Sequence, residues 1–138
     1  MRQRLFATHS GPVPMILRVA AGVVFVLFSI GKFTRRDAEI RAFERYDVPW
    51  PEVTVALVGV LELVGGLLLI VGLLTRPAAL ALAGNMIGAI GTGGRIDGGI
   101  IHLGLAPALL VVMLILLWTG AGDRSFDRRI AATPALSG

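Results

Sequence analysis

Cysteine is absent from the 138 residues. That excludes a disulfide framework, a CxxC redox pair, thiolate zinc sites and iron–sulfur ligation by this chain alone. Charge is scarce as well: 16% of residues are charged, where a soluble domain carries about 25%. Of the two histidines only His102 falls in an apolar run, and Met113 lies three turns further along the same segment, so two axial haem ligands from one chain are not expected. No nucleophile motif or metal cluster is present, and no metal is expected. The glycines of GTGGRIDGG lack the strand context of a dinucleotide site and read as a loop.

What is there is apolar. The chain is 55% hydrophobic, its mean hydropathy is +0.80, and the apolar residues are gathered in long runs, which marks a membrane chain of one domain. The net charge of +4 sits on residues flanking these runs. Such cations anchor helix ends at lipid head groups, so no nucleic-acid partner is expected.

Four spans are expected, at roughly 13–32, 52–74, 77–93 and 99–119, each near the 17–25 residues a crossing needs. Arg2 and Arg4 ahead of the first run resemble a signal peptide. Without a small-x-small cleavage site, the run reads as an uncleaved helix. Between spans one and two, DAEIRAFERYDV repeats Ile40, Phe43 and Tyr46 once per turn, which predicts a short amphipathic helix on the membrane surface. Pro49-Trp50-Pro51 ends it. Thr75-Arg76-Pro77 predicts a tight turn capped by Thr75. Trp118 falls where an interfacial aromatic belongs. Short loops then imply antiparallel neighbours. The predicted fold is all-α: an integral membrane, up-down four-helix bundle with four transmembrane helices and an amphipathic helix between the first two. Residues 1–12 read as a polar N-terminal segment, 13–130 as the membrane domain and 131–138 as a flexible tail.

Ionisable groups at membrane depth are costly and are functional candidates by default. The candidates are Arg18, Glu62 and His102, with Asn85 as an uncharged fourth. Helical spacing puts Arg18, Gly22, Phe25, Ser29 and Lys32 on one face of span one. Val55, Gly59, Glu62 and Gly66 share a face of span two. Ala78, Ala81, Asn85, Gly88 and Thr92 share one in span three, where Gly84 and Gly88 form a GxxxG. His102, Ala106, Leu109 and Met113 line up in span four. Small residues beside each polar one let helices approach closely, so the four stripes are expected to converge inside the bundle. Arg18 lies about 7–8 Å from the middle of its span, and its long side chain is expected to reach Glu62. The Arg18–Glu62 pair has a structural alternative, holding two helices together. Packing is the expected role of Asn85.

At this point the residues resemble a known family. LRVAAGVVFVLFSIGKF resembles the Arg-containing first helix of DoxX/DoxD-like membrane proteins, and the V-P-W-P-E loop is similar to theirs. GVLELVGGLLLIVGLLTRPAALALAGNMIGAI matches the E-x-x-G-G-x-x-L-x-x-G-L-x-T-R run and the following small-rich helix. GAGDRSFDRRI resembles the G-x-G-x-x-S-x-D terminus. The likeness covers roughly residues 14–129. Arg18, Lys32, Glu62, Thr75, Arg76, Asn85, Met86 and Asp127 fall on pattern positions. The resemblance implies a four-helix bundle with cytoplasmic termini and a link to redox metabolism, one branch serving as a subunit of a thiosulfate:quinone oxidoreductase.

The function expected is that of a membrane accessory subunit of a redox, respiratory or oxidative-stress complex, rather than an enzyme on its own. A quinone is the candidate cofactor, and none is expected to be covalently bound. Catalytic candidates are Glu62, His102 and Arg18; the candidate binding core is Arg18, Glu62, Asn85 and His102. Two alternatives stand beside it: a quinone-interacting oxidoreductase subunit, and a small transporter or channel using a buried Arg/Glu pair. Expected partners are the lipid bilayer and other subunits, with a homo-oligomer as a candidate state. The expected location is the bacterial plasma membrane. Basic residues are nearly balanced between the two sides, with a slight lean to cytoplasmic termini.

Overall fold

The chain is described here by a computed structural model, covering residues 12–121, 125, 127, 129 and 130. The N-terminal segment before Pro12 and the tail at 131–138 lie outside the described residues. Among the described residues every regular element is helical. Helix α1 spans Pro12–Thr34, α2 Arg36–Arg45, α3 Pro51–Val71 and α4 Thr75–Gly91. A single turn, α5, follows at Gly93–Ile96. A π-helical turn at Ile101–Leu105 then runs into α6, Ala106–Thr119.

Helices α1 and α3, with 23 and 21 residues, are long and apolar enough to cross a membrane. At 1.5 Å per residue α3 is ~31 Å long, the thickness of the hydrocarbon layer. Prolines sit where a helix tolerates them: Pro12 and Pro14 in the first turn of α1, Pro51 at the start of α3. Helix α3 ends at Gly72, whose φ of 73° is left-handed. The Gly72 and Leu73 amides both donate to the Leu68 carbonyl, the glycine-terminated helix end.

The bundle is assembled from two pairs, α1 against α3 and α4 against α6. The first pair meets at glycine. A Cβ added at Gly22 would stand 2.7 Å from the Gly66 carbonyl oxygen, and one at Gly66 would stand 2.8 Å from that of Gly22. No side chain fits there, and this contact fixes the antiparallel register of α1 on α3. Phe25, Leu69, Leu82, Met113 and Leu116 fill the centre.

The surface is apolar on every long helix: Leu27, Leu57 and Leu80 are each more than 60% exposed, and Val111 is 55% exposed. Meanwhile Arg18, Ser29, Glu62, Thr75 and Asp127 are buried. Polar inside and apolar outside is the distribution that a lipid solvent selects. Trp50 and Trp118 are 79% and 77% exposed at helix ends, as interfacial aromatics are.

Three expectations are corrected. Thr75 belongs to α4 and makes no side-chain cap; the residue before it, Leu74, takes the left-handed conformation (φ 51°) and holds the cap position. The expected fourth span opens as a π-helical turn at Ile101–Leu105 rather than as regular α-helix, and runs on without a break into α6. Gly84 and Gly88 do not face the interior: both are exposed, with open space where a Cβ would be. The amphipathic helix is present as α2. Its Ile40 and Phe43 are half-buried, and Tyr46 just beyond it is buried.

Candidate functional site

The buried polar residues form two separate clusters, one at each half of the bundle. The first is built on helix ends. The last carbonyls of α3 have no partner within the helix. Arg18 supplies one: its Nη1 donates to the Leu69 carbonyl at 2.9 Å and to that of Ile70 at 2.6 Å, and its Nε donates to the Ala121 carbonyl at 2.8 Å. A cation at a helix C-terminus also faces the negative end of the helix dipole. Asp127 does the converse for α4. Its Oδ1 accepts the Leu74 amide at 2.7 Å and its Oδ2 the Thr75 amide at 2.8 Å. Its own amide donates to the Gly72 carbonyl at 2.8 Å. A Cβ at Gly72 would run into Ser125 and would come within 3.0 Å of the Arg18 guanidinium carbon, so glycine is required there for space as well as for φ.

The second cluster is built on Glu62, 4% exposed in the middle of α3. Asn85 of α4 donates its side-chain amide to Oε1 at 2.9 Å. The Lys32 ammonium, from the last turn of α1, lies 3.0 Å from Oε2 as an ion pair. No described group completes a hydrogen bond to Oε2 in direction as well as distance. Lys32 and Glu62 form one wall of a cavity of about 80 Å³ whose other lining is apolar: Phe28, Met86, Ala89, Leu105, Ala106 and Leu109. A carboxylate and an ammonium on the wall of an otherwise apolar cavity are groups of the kind that acid–base chemistry uses.

The expected Arg18–Glu62 pair is therefore not formed. The reason is register. With Gly22 packed on Gly66, and Gly59 on Phe33 and Lys32, Glu62 stands level with the turn Val26–Ser29. Arg18 is about eight to eleven residues away, ~12–16 Å along α1. Of the four candidates the structure brings together Glu62 and Asn85, and sends Arg18 to the other cluster. His102 lies on the π turn, next to the pocket-lining Leu105, and its side chain lies outside the described residues. Lys32 was missed as a site residue, although the shared face with Ser29 pointed to it.

A third polar group lies outside the spans. Asp97, after α5, accepts hydrogen bonds from the Tyr46 hydroxyl at 2.7 Å and from Arg45 Nη2 at 2.8 Å. Burial first, then the bond to Asp97, raise the Tyr46 hydroxyl above the ordinary tyrosine value. This ties the surface helix α2 to the connection between α4 and α6.

The DoxX family profile matches residues 13–120, and this chain belongs to the DoxX family of membrane proteins. The uncharacterized membrane protein Rv3486 of Mycobacterium tuberculosis is 34% identical, over 93% of this chain and 87% of its own length. The inner membrane protein YphA of Escherichia coli is 26% identical, over 83% and 88%. A Bacillus subtilis protein named "Putative oxidoreductase CatD" is 32% identical over 55% of each chain. No solved structure gives a significant match.

Proposed function

We propose that this chain is an accessory subunit of a bacterial membrane redox or oxidative-stress complex, with the Lys32–Glu62–Asn85 pocket as its proton-exchanging site. The observation that carries this reading is a carboxylate, 4% exposed at the centre of an apolar helix, paired with an ammonium on the wall of a cavity. Charges at this depth are costly to bury, and ionisable groups inside a membrane are functional candidates by default. Support also comes from the oxidoreductase name carried by the B. subtilis relative over half of its length.

In this proposal α1, α3, α4 and the π turn with α6 make four crossings, and both termini lie on the cytoplasmic side of the plasma membrane. The role of the residues is to hold and pass a proton. Lys32, 12% exposed, stands between the outside and Glu62, while Asn85 fixes the carboxylate by its other oxygen. The quinone expected from the resemblance is placed on a partner subunit. The pocket, of about 80 Å³, is smaller than the roughly 150 Å³ of an enclosed cavity that takes benzene.

Mild-detergent purification of the tagged chain from its native membrane, with mass spectrometry of what accompanies it, tests the reading. A redox protein in stable stoichiometry is the expected result. A self-sufficient homo-oligomer with no such companion overturns it.

A further inference from the structure

We infer that the Glu62 pocket is a receptor for the hydroxyl end of an uncharged amphiphile that enters sideways from the bilayer. The inference deepens the reading of this pocket as the working site. It starts from Glu62 Oε2, which is ion-paired with the Lys32 ammonium at 3.0 Å but accepts no well-directed hydrogen bond from a described group. An ionised carboxylate accepts hydrogen bonds and an ammonium donates them. A hydroxyl does both, so it can donate to Oε2 while accepting from Lys32. An anion or a bare carbonyl can accept from Lys32 but brings a second acceptor to the carboxylate. A second cation would meet the Lys32 ammonium, which already lies 3.0 Å from Oε2. What remains is a neutral donor, and a hydroxyl is the smallest one an apolar body can carry.

The walls and the doorway agree. Apart from the ion pair the lining is apolar, and two of its members, Ala89 and Ala106, are small. Phe28 on α1 and Leu105 on the π turn are only half-buried, so the pocket reaches the surface along the seam between them. A π turn widens a helix locally and recurs at functional sites; here it ends at Leu105, on the pocket wall. A volume of about 80 Å³ admits two or three groups of water size, each taking about 30 Å³. A hydroxymethyl end fits, with the chain trailing into the seam.

Native mass spectrometry of the full chain, released from detergent after equilibration with 1-decanol or with its methyl ether, tests this. One decanol retained per chain is expected, with at least tenfold less of the ether, which has the same tail and no donor. Ala106→Leu fills the pocket while leaving Lys32 and Glu62 in place, and it is expected to abolish retention. Glu62→Gln should weaken it. Equal retention of alcohol and ether, retention unchanged by Ala106→Leu, or no alcohol retained at all, leaving the pocket to water, would each overturn the inference. None of these outcomes depends on whether a redox partner co-purifies, so the two readings fail separately.

Discussion

The two buried polar clusters use the same kinds of residue to opposite ends. Around Arg18 and Asp127 each carboxylate oxygen and each helix-end carbonyl named above meets a donor, and the partners are backbone, although the buried Thr75 hydroxyl beside them meets no described partner. Around Glu62 the partners are side chains, an ammonium and an amide, and a cavity adjoins them. Charged groups bonded to helix-end backbone fix structure. A buried ion pair on a cavity wall is a functional candidate. Burial alone does not separate the two, since Arg18 is more deeply buried than Glu62; the separation lies in what each group is bonded to.

The largest expected effect falls on the helix-end cluster. Arg18→Met leaves two carbonyls of α3 and one beyond α6 without their donor, and should cost roughly 3–5 kcal/mol, read as unfolding in mild detergent. A loss below ~1 kcal/mol would erase the contrast. Next comes the glycine contact that sets the register. Gly66→Leu should cost about 1–3 kcal/mol or more, while Gly84→Leu, facing open space, should leave stability unchanged or slightly raised. Comparable losses at both would show that α4's glycine face is packed after all.

Tyr46→Phe should cost about 0.5–1.5 kcal/mol, with a pH signature. Because the folded hydroxyl is raised above its ordinary value, its contribution is full below about pH 10 and is lost as pH climbs through the folded value. Wild type and variant should therefore converge in alkali, and a constant difference would argue against the Tyr46–Asp97 bond. Among the polar clusters the smaller change is expected at Glu62→Gln, about 1 kcal/mol given the modest net strength of polar contacts in membranes and the 12% exposure left to Lys32. If Glu62→Gln unfolds the chain as Arg18→Met does, both clusters are structural.

Much of the architecture was legible in the sequence. The apolar runs announced α1 and α3, and the turn-by-turn spacing of Ile40, Phe43 and Tyr46 announced α2. Of the four polar stripes that helical spacing turns inward, those of Glu62 and Asn85 meet. What was not legible was register. Measuring Arg18 from the middle of its own span ignored how α1 slides along α3, and that offset is set by Gly22 meeting Gly66, a contact between two helices that neither sequence segment encodes alone. The same error hid Lys32, which the true register brings to Glu62. The outward turn of Gly84 and Gly88 was missed because a GxxxG marks a surface fit for close packing without saying whether this chain supplies the other side. Thr75 looked like a cap because it has the right chemistry; the cap it competes with comes from far along the chain.

That distant cap bears on how the protein is made. The Leu74 and Thr75 amides wait for a carboxylate 53 and 52 residues further on. During synthesis the first amides of α4 therefore lack this cap until Asp127 has been made and has reached them. A ribosome-bound chain halted short of Asp127 should hold α4 loosely, and its release past that residue should lock the bundle. The start of α4 is thus completed by a residue made more than fifty positions later.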